Sequence, residues 1–327
     1  MTSLVTGPAG FVGSHVVRAL LARGEPVRAL VRATSDVRNL SGLELELAHG
    51  DVRDVPAVAA AMAGCDVVYH VAGLYTVREK EIPDMYSVNV GGTKCVLRAA
   101  LAAGVRRAVL TSTIGAIGRP EGDELRTEET AFNLWDTASN YVKSKVLGEV
   151  AARELAEEGL PLIIVHPCAP IGPGDIKPTV TGQRIVDVLN GKLPSYAPGG
   201  INCVAVQDVA EGHVLAAERG RPGERYILGN AQGNLSLDEF LHLVEQAGGP
   251  AVALPEPPAV RTPRRGRKQW PSGARPVALT ADPGKAIREL GLPQTPLVEA
   301  FREAVAWFRA KGYVTTDRTD FTEDVAS

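Results

Sequence analysis

A tyrosine and a lysine four residues apart form the side-chain pair in this sequence that is best placed for acid–base chemistry. Tyr141 and Lys145 are the ends of the segment YVKSK, and on a helix residues at this spacing lie on one face. A phenol has an ordinary pKa near ~10, which makes it a poor acid–base group at neutral pH. An adjacent ammonium stabilises the phenolate, so we expect Lys145 to lower the pKa of Tyr141 toward the useful range.

Three hydroxyl residues give this pair a chemical context. Thr111, Ser112 and Thr113 end the run VLTST at 109–113. Apolar and β-branched residues in such a run are typical of a buried strand. We expect the end of this strand to lie beside the same cleft as Tyr141, where its hydroxyls could hydrogen-bond the reacting oxygen.

A glycine-rich turn lies close to the N-terminus. It reads GPAGFVG at 7–13, between an apolar run at 4–6 and an amphipathic pattern that predicts a helix. Glycines permit a tight turn and a close backbone approach, and the free N–H groups at the helix start can bind a pyrophosphate. The residues predicted to hold a dinucleotide here are Gly7, Gly10, Phe11, Val12 and Gly13.

The end of the second predicted strand indicates which dinucleotide binds. NAD-binding proteins usually have an Asp or Glu there, which accepts hydrogen bonds from the ribose hydroxyls. This strand reads VRALVR from Val27 to Arg32 and has no acid at its end. Arg32 could instead pair with a 2′-phosphate and stack on adenine. The sequence therefore favours NADP(H).

The order of the elements predicts how these segments meet. Short β-branched runs alternate with amphipathic stretches, which is typical of a parallel sheet with helices on both faces. Because parallel crossovers are right-handed, we predict an α/β fold with a doubly wound parallel sheet of the Rossmann type. The predicted strands span 4–6, 27–31, 43–48, 66–71, 108–111 and 162–165, and the predicted helices about 56–62, 85–103, 141–157 and 296–311.

The alternation ends after Pro167, where proline and glycine cluster as far as Asp175. Short helices and strands then follow irregularly, which predicts a smaller C-terminal α/β substrate lobe and a cleft beside it. We place the NADP-binding core at 1–166, the lobe, with a return of the chain to the core, at 167–313, and a disordered tail at 314–327. A basic, proline-rich stretch at 261–268 is either an exposed loop or an anion site.

Composition excludes several classes of protein. The 327 residues are 45% apolar and 22% charged, which is ordinary for a soluble globular chain. A net charge of −3 argues against a nucleic-acid-binding or membrane-surface protein. The sequence shows no membrane span and no signal peptide, and its four cysteines are scattered without metal spacing. We therefore expect a cytoplasmic protein without a metal site.

Taken together, the motifs resemble the extended short-chain dehydrogenase/reductase family. The resemblance covers nearly the whole chain, from about residue 3 to residue 313. Within the family, the chain is most similar to the dihydroflavonol-reductase-like branch, which includes hopanoid-associated proteins. Besides the glycine turn, Thr113 and the Tyr141–Lys145 pair, the matching segments are DVRD at 51–54, HVAG at 70–73, NVGGT at 89–93, HP at 166–167 and GPGDIKPT at 172–179.

The resemblance implies a role for each matching residue. Tyr141 would be the general acid that protonates a carbonyl oxygen, Lys145 would hold the nicotinamide ribose, and Thr113 would hydrogen-bond the same oxygen. A homodimer through the helices at 85–103 and 141–157 is implied in the same way. The other residues implied to contact the cofactor are Asp51 and Val52 at the adenine, Val71, Ala72 and Gly73 on the other side, and Pro167.

These roles favour one function over three others. We expect an NADPH-dependent reductase that transfers a hydride to the ketone or aldehyde of a small to medium, fairly apolar substrate. A nucleotide-sugar epimerase would use the same Tyr141 and Lys145, and the basic stretch at 261–268 could hold its phosphates. A dehydratase of the family would have acids directly after Thr113, where this chain has Ile114 and Gly115. A sensor that binds NADP without turnover typically lacks the tyrosine or the lysine.

Four further residues and one segment are interpreted from their positions. His70 ends a buried strand and should pack in the core, and Cys168 should be unreactive. His166 either lines the substrate cleft or packs at a strand end, and Asn89 should anchor the fold near the cofactor. The segment 249–277 is shorter and more basic than in the branch, which suggests a more open cleft for a bulky or anionic molecule.

Overall fold

Strands and helices alternate along the first half of the chain, as the hydrophobic pattern predicts. The computed structural model describes residues 1–122, 124–251 and 278–314. Its strands are β1 Ser3–Thr6, β2 Val27–Val31, β3 Glu46–His49, β4 Val67–His70, β5 Arg107–Thr111, β6 Leu162–Pro167, β7 Ala169–Ile171, β8 Ile201–Ala205, β9 Arg225–Leu228 and β10 Asn234–Leu235. Its α-helices are α1 Phe11–Ala22, α2 Val55–Met62, α3 Ile82–Tyr86, α4 Thr93–Ala103, α5 Asn140–Glu157, α6 Val180–Leu189, α7 Val206–Arg219, α8 Leu237–Gln246, α9 Gly284–Leu290 and α10 Leu297–Ala310. Over those three ranges, no helix has the length and apolar character that crossing a membrane requires.

Seven of these strands form one parallel sheet in the order β3-β2-β1-β4-β5-β6-β9. The strand order reverses between β1 and β4, and dinucleotides bind at such a reversal, beyond the carboxyl ends of the strands. This topology confirms the predicted doubly wound parallel sheet. The glycine turn after β1 and the loop after β4 consequently lie side by side.

Alternate residues of the central strands fill two apolar layers, one on each face of the sheet. In β1, Val5 packs in the layer that includes Val16 and Leu20 of α1, whereas Leu4 packs in the layer that includes Val58 of α2. Leu4 and Val5 are both fully buried. Burial on both faces explains why these strands are continuous apolar runs in the sequence.

A smaller sheet follows β6 in the chain. Its strands are ordered β10-β8-β7, with β7 and β8 parallel and β8 and β10 antiparallel. Helices α6, α8 and α10 contribute to its core, in which Phe240, Phe301 and Phe308 are fully buried. Helix α7 and strand β9 return to the large sheet, where α7 packs against α1.

Two predicted elements differ in detail from the structure. The helix predicted at 85–103 begins at Ile82 and contains a π-helical turn over Ser87–Gly92. The strand predicted at 43–48 is β3, Glu46–His49, at the edge of the sheet. Most of its residues are exposed, and a strand without a buried face has little apolar pattern to mark its limits.

Three interpretations fall on parts of the chain outside the described residues. These concern the basic stretch at 261–268, the open cleft attributed to the segment 249–277, of which 252–277 is not described, and residues 315–327 of the expected tail. They remain interpretations of the sequence.

Candidate active site

Close backbone contacts shape the glycine turn after β1. Gly7 has a φ of +67°, and a Cβ on it would lie 2.7 Å from the backbone of Ala72 in the loop after β4. A Cβ on Gly13 would lie 2.1 Å from the carbonyl oxygen of Gly7. Side chains at these two positions would push the turn away from the sheet. The two loops at the strand reversal therefore approach each other because residue 7 is glycine, and the tightness of the turn itself requires glycine at position 13.

The N-terminus of α1 is open toward the crevice. Gly10 is the N-cap, no side chain caps the helix, and its first turn has no acidic residue. A Cβ on Gly10 would meet the carbonyl oxygen of Gly7 at 3.3 Å and no other described atom within 4 Å. The N–H groups of Phe11 and Val12 begin the helix and are available to an anion. A pyrophosphate fits this open, uncapped turn.

An amide side chain joins the glycine turn to the turn after β7. Asn39 donates from Nδ2 to the carbonyl oxygens of Ala9, at 3.3 Å, and Gly174, at 3.0 Å. His15 of α1 donates from Nε2 to the carbonyl oxygen of Pro173 over 2.8 Å. The beginning of the smaller sheet is thus held against the cofactor end of α1.

Arg32 directly follows β2, and its exposed guanidinium has no hydrogen-bond or ion-pair partner among the described residues. Asp51 is close to it but is occupied by Arg53, which donates two hydrogen bonds of 2.7 and 2.8 Å. These bonds, with a smaller contribution from the charge of Arg32, lower the pKa of Asp51 to about 2. The Arg32 guanidinium is therefore available to a phosphate on the ribose of a bound adenosine.

The loop after β4 forms the other side of the crevice, and Asn89 holds it in place. The buried side chain of Asn89 accepts from the N–H of Leu74 at 2.8 Å and donates to its carbonyl oxygen at 2.9 Å. It also donates to Ser144 Oγ of α5 at 2.9 Å. Asn89 lies within the π-helical turn, and such turns are frequent at functional sites. The residues 71–73 are consequently held between β4 and α5, which agrees with the anchoring role expected of Asn89.

Lys145 lies one helical turn beyond Tyr141 and reaches the end of β5. Its ammonium donates to the carbonyl oxygen of Thr111 over 2.6 Å and lies 3.8 Å from where a Cβ on Gly73 would be. The side chain is buried, and this desolvation lowers its pKa to about 8, although the charge of Glu149 raises it. The ammonium is therefore placed between the motifs that follow β4 and β5.

The structure differs from the sequence expectation for the pKa of Tyr141. Burial raises the pKa of the phenol to about 12, and Tyr75 adds to the increase. The hydrogen bond of the Lys145 ammonium goes to Thr111 instead. Within the described residues the Tyr141 hydroxyl has no hydrogen bond, and its ring stands edge-on to that of Tyr75, with 5.1 Å between the centroids. At neutral pH the phenol therefore carries its proton, and a cation brought near its oxygen would make that proton easier to transfer.

Thr113 lies just after β5, in a turn that approaches the first turn of α5. It caps the 3₁₀ turn Ile114–Ala116, and its hydroxyl accepts from the N–H of Gly115 over 3.3 Å. A Cβ on Gly115 would lie 2.9 Å from Cγ2 of Val142, the residue after Tyr141. The glycine thus lets the end of β5 approach α5. The Thr113 hydroxyl accepts in this turn, so its own hydrogen can still be donated to a ligand.

A buried carboxylate, which the sequence motifs do not reveal, fixes the same strand ends. Glu149 accepts from the hydroxyl of Ser112 and lies 2.9 Å from Nε2 of His166. Burial opposes its ionisation, but the charge and hydrogen bonds of His166 and Ser112 outweigh that effect, and the pKa of Glu149 lies below its usual value. Glu149 follows Lys145 by four residues, so repeating the Tyr141–Lys145 spacing once more along the helix would have found it.

Three other candidate residues are buried in surroundings that indicate a structural role instead of a catalytic one. His70 is hydrogen-bonded to the hydroxyls of Thr6, at 2.7 Å, and Thr93, at 3.1 Å, and burial lowers its pKa to about 3. Burial raises the pKa of the Cys168 thiol, which therefore stays protonated. His166 is fully buried at the end of β6 and packs there instead of lining the cleft.

The remaining predicted cofactor residues lie around this centre. Val52 packs against the π-helical turn, where its Cγ2 would be 2.6 Å from a Cβ on Gly92. Pro167 ends β6 at the carboxyl edge of the sheet and pairs with Leu228 of β9. A separate cavity of about 440 Å³, bordered by Arg225 among others, contains none of the predicted site residues in its lining.

Comparison with known proteins shows relatives of nearly equal length. Residues 3–229 match a family model described as the NAD dependent epimerase/dehydratase family. A dihydroflavonol 4-reductase-like protein of Synechocystis sp. is 40% identical over 95% of this chain and 96% of its own length. Sterol demethylase protein B of Methylococcus capsulatus is 35% identical over 96% of this chain and 100% of its own length.

Solved structures share the fold to a similar extent. The crystal structure of gox2253 has a TM-score of 0.83 and 38% identity, over 96% of this chain and 99% of that one. DesIV of Streptomyces venezuelae, a dTDP-glucose 4,6-dehydratase solved with NAD, has a TM-score of 0.77 and 29% identity, over 95% of this chain and 97% of its own. The fold is therefore shared with a sugar-nucleotide enzyme that was solved with a bound dinucleotide.

Proposed function

Because the chain belongs to the NAD dependent epimerase/dehydratase family, we propose that it is an NADPH-dependent reductase of a ketone or aldehyde, with Tyr141 as the general acid. One observation carries the proposal. Tyr141 and Lys145 share one face of α5, and the Lys145 ammonium reaches the end of β5, the strand that leads to Thr113, over 2.6 Å. The reductase-like relative, at 40% identity, supports carbonyl reduction as the type of reaction.

In this proposal the residues of the chain bind and polarise a carbonyl group. The glycine turn, the N-terminus of α1 and Gly73 would hold the dinucleotide, which supplies the hydride when bound. Thr113 and Tyr141 would donate hydrogen bonds to the carbonyl oxygen, and Tyr141 would pass its proton to that oxygen as negative charge develops there. The Lys145 ammonium would stabilise the resulting phenolate.

The choice of NADPH rests on the surroundings of Arg32. Its guanidinium follows β2, the position that decides between the two dinucleotides, and it has no partner among the described residues. The nearby carboxylate of Asp51 is already neutralised by Arg53. A 2′-phosphate placed there would meet a free cation, and an arginine fork matches phosphate geometry well.

A nucleotide-sugar epimerase is the second candidate, because the fold is shared with an enzyme of sugar nucleotides. An epimerase returns the hydride to the carbon that lost it and therefore consumes no net cofactor. Arg32 favours the reductase, as does the higher identity to the reductase-like relative, 40% against 29% for DesIV.

A single set of assays separates these candidates. The protein is incubated with NADPH or NADH and either a panel of aldehydes and ketones or UDP-glucose and dTDP-glucose, while cofactor absorbance and sugar products are followed. NADPH consumption that requires a carbonyl compound and is lost in Tyr141→Phe supports the reductase. Conversion of a sugar nucleotide without net cofactor use would instead favour the epimerase. Binding of NADPH with no turnover in either panel would indicate a sensor.

A further inference from the structure

A second guanidinium lies in the substrate half of the molecule and is held in a fixed orientation. Arg184 of α6 donates from Nε to the carbonyl oxygen of Ser195 over 2.8 Å. Its Cζ lies 5.5 Å from the centre of the Tyr196 ring, and the hydroxyl of Tyr196 donates to the carbonyl oxygen of Leu235 over 3.0 Å. Both Nη groups are free of hydrogen bonds to the described part of the chain. The outer edge of the guanidinium is therefore positioned and available.

Arg184 is connected to the candidate active site through Tyr75. Tyr75 lies in the loop after β4 and is 52% exposed. Its ring stands edge-on to Tyr141, with 5.1 Å between the centroids, and Tyr75 is among the groups that act electrostatically on the Arg184 guanidinium. A molecule bound against the Tyr141 hydroxyl could thus extend along Tyr75 toward Arg184.

The charge of Arg184 is not balanced by a carboxylate. Burial lowers its pKa, and the groups that oppose this effect are Tyr196, Cys203 and Tyr75. Burial raises the pKa of the Cys203 thiol to about 12 and also raises that of the Tyr196 phenol, so neither group is an anion at neutral pH. A half-buried cation without an anion costs folding free energy. Unbalanced charges of this kind beside a cleft are typical of sites where a ligand supplies the counter-charge.

We propose that Arg184 forms an anion subsite of the substrate cleft and that the substrate carries a carboxylate or similar oxyanion at the end opposite its carbonyl group. This inference rests on the proposed reductase function, because Tyr141 defines where the carbonyl lies. The guanidinium edge can bind a carboxylate through two parallel hydrogen bonds, which a neutral ester cannot match. Tyr75 and Tyr196 offer aromatic surface to the part between the two ends. The substrate would then have an apolar body and one anionic end.

The test compares matched carbonyl compounds that differ in one charge. A chain-length series of ω-oxo acids and their methyl esters is assayed with NADPH on the wild-type protein and on Arg184→Gln, Arg184→Lys and Lys192→Gln. Lys192 is an exposed cation of the same half of the molecule and serves as the matched control. The wild type should prefer the acid of the best length over its ester by roughly 10- to 100-fold in kcat/KM. Arg184→Gln should lose this preference, Arg184→Lys should keep part of it, and Lys192→Gln should keep it in full.

A binding measurement decides the inference even without turnover. Thermal stabilisation by the corresponding dicarboxylates, in the presence of NADP⁺, is compared with that by their dimethyl esters. If no carbonyl compound is reduced but the dicarboxylates stabilise the wild type and not Arg184→Gln, the proposed function fails and the anion subsite stands. Equal kcat/KM for acids and esters, or an acid preference that survives in Arg184→Gln, would overturn the subsite. An absence of dicarboxylate stabilisation in a protein that reduces no carbonyl would overturn both.

Discussion

The ammonium of Lys145 donates a 2.6 Å hydrogen bond to the carbonyl oxygen of Thr111, and this bond joins the helix of the acid–base pair to the strand that leads to Thr113. Burial acts on the two members of the pair in opposite directions. It raises the pKa of Tyr141 to about 12 and lowers that of Lys145 to about 8. At neutral pH the phenol is neutral and the lysine is charged, which is the state that a proton donor with a supporting cation requires.

Replacing Tyr141 by phenylalanine should remove the proton donor and little else. The variant keeps the aromatic contact with Tyr75, so we expect affinity for NADPH to stay close to that of the wild type. Carbonyl reduction should slow by roughly 10²- to 10⁴-fold in kcat. NADPH oxidation and fluorescence titration measure the two quantities. Tyr86→Phe removes a solvent-exposed hydroxyl that is hydrogen-bonded to Asn140 and should retain activity. Wild-type turnover in Tyr141→Phe would contradict the mechanism.

Carbonyl reduction should decline as the pH rises through about 8, the pKa of Lys145 in the folded protein. Below that pH the lysine is charged and can stabilise the Tyr141 phenolate, whereas above it the charge is lost. His70, whose pKa depends on the charge of Lys145, contributes no change in this range because its own pKa is about 3. The measurement is kcat/KM across the range from about pH 6 to about pH 10. A rate that stays constant through this range would argue against a role for the lysine charge.

Changing Glu149 to glutamine should lower the pH at which carbonyl reduction begins to decline. The carboxylate raises the pKa of Lys145, so its removal lets the lysine lose its proton earlier. Glutamine can still hydrogen-bond Ser112 and His166, which limits structural damage. Glu154→Gln changes a charge on the exposed face of the same helix, where the carboxylate lies 3.8 Å from Lys94, and should leave the pH profile unchanged. Identical profiles for the two variants would show that Glu149 does not act through Lys145.

Removing the guanidinium of Arg32 should selectively weaken the binding of NADPH. We expect Arg32→Ala to raise the Kd of NADPH by roughly 10- to 100-fold, since a charge-assisted contact with phosphate is lost. NADH has no 2′-phosphate and can lose only a stacking contact with adenine, so its Kd should change much less. Arg78→Ala, which removes an exposed arginine paired with Glu81, provides the control. An equal loss of affinity for both dinucleotides in Arg32→Ala would mean that Arg32 does not bind the 2′-phosphate.

A methyl group on Gly10 tests whether the turn after β1 receives the pyrophosphate. The Cβ would meet only the Gly7 carbonyl oxygen, at 3.3 Å, so Gly10→Ala should fold with little loss of thermal stability. It would occupy the space above the helix N-terminus, and both NADPH and NADH should bind more weakly. Gly91→Ala adds a methyl group with no described atom within 4 Å and should change neither stability nor affinity. Unaltered affinity in a folded Gly10→Ala would place the pyrophosphate elsewhere.

The homodimer implied by the family resemblance would bury apolar side chains on α5. Leu147 and Val150 are 39% and 48% exposed on that helix. We expect Leu147→Glu to shift the protein to a monomer, because a dimer interface there would bury the new charge without a partner. Light scattering after size exclusion gives the mass. Val55→Glu alters an exposed apolar residue of α2 and should leave the mass unchanged. A monomeric wild-type protein would contradict the predicted homodimer.

Local sequence patterns are sufficient to predict the central strands of the fold and part of the candidate active site. Strands β1 and β4 are apolar because both faces are buried, so they are visible as continuous runs. Gly7 and Gly13 are required by backbone contacts within one short motif and its neighbour. Tyr141 and Lys145 are related by helical spacing, which is also a local property. These features could therefore be predicted.

The remaining features depend on residues that are distant in the chain. The direction of the Tyr141 pKa shift is set by burial, which the YVKSK segment alone does not show. Glu149 is visible as a helical repeat, but its partners Ser112 and His166 come from the ends of two strands. Arg184 has no motif around it, and its electrostatic interaction with Tyr75 arises only in the folded chain. Tertiary contacts carry this information.

The two hydrogen bonds of Asn39 have a kinetic consequence. Because Ala9 and Gly174 accept hydrogen bonds from the same amide, the proposed dinucleotide surface and the border of the proposed substrate region are mechanically coupled. Occupation of the glycine turn should therefore rigidify the border against which the second ligand binds. We expect compulsory-order binding, with the dinucleotide entering first and leaving last, and product inhibition patterns that reflect this order.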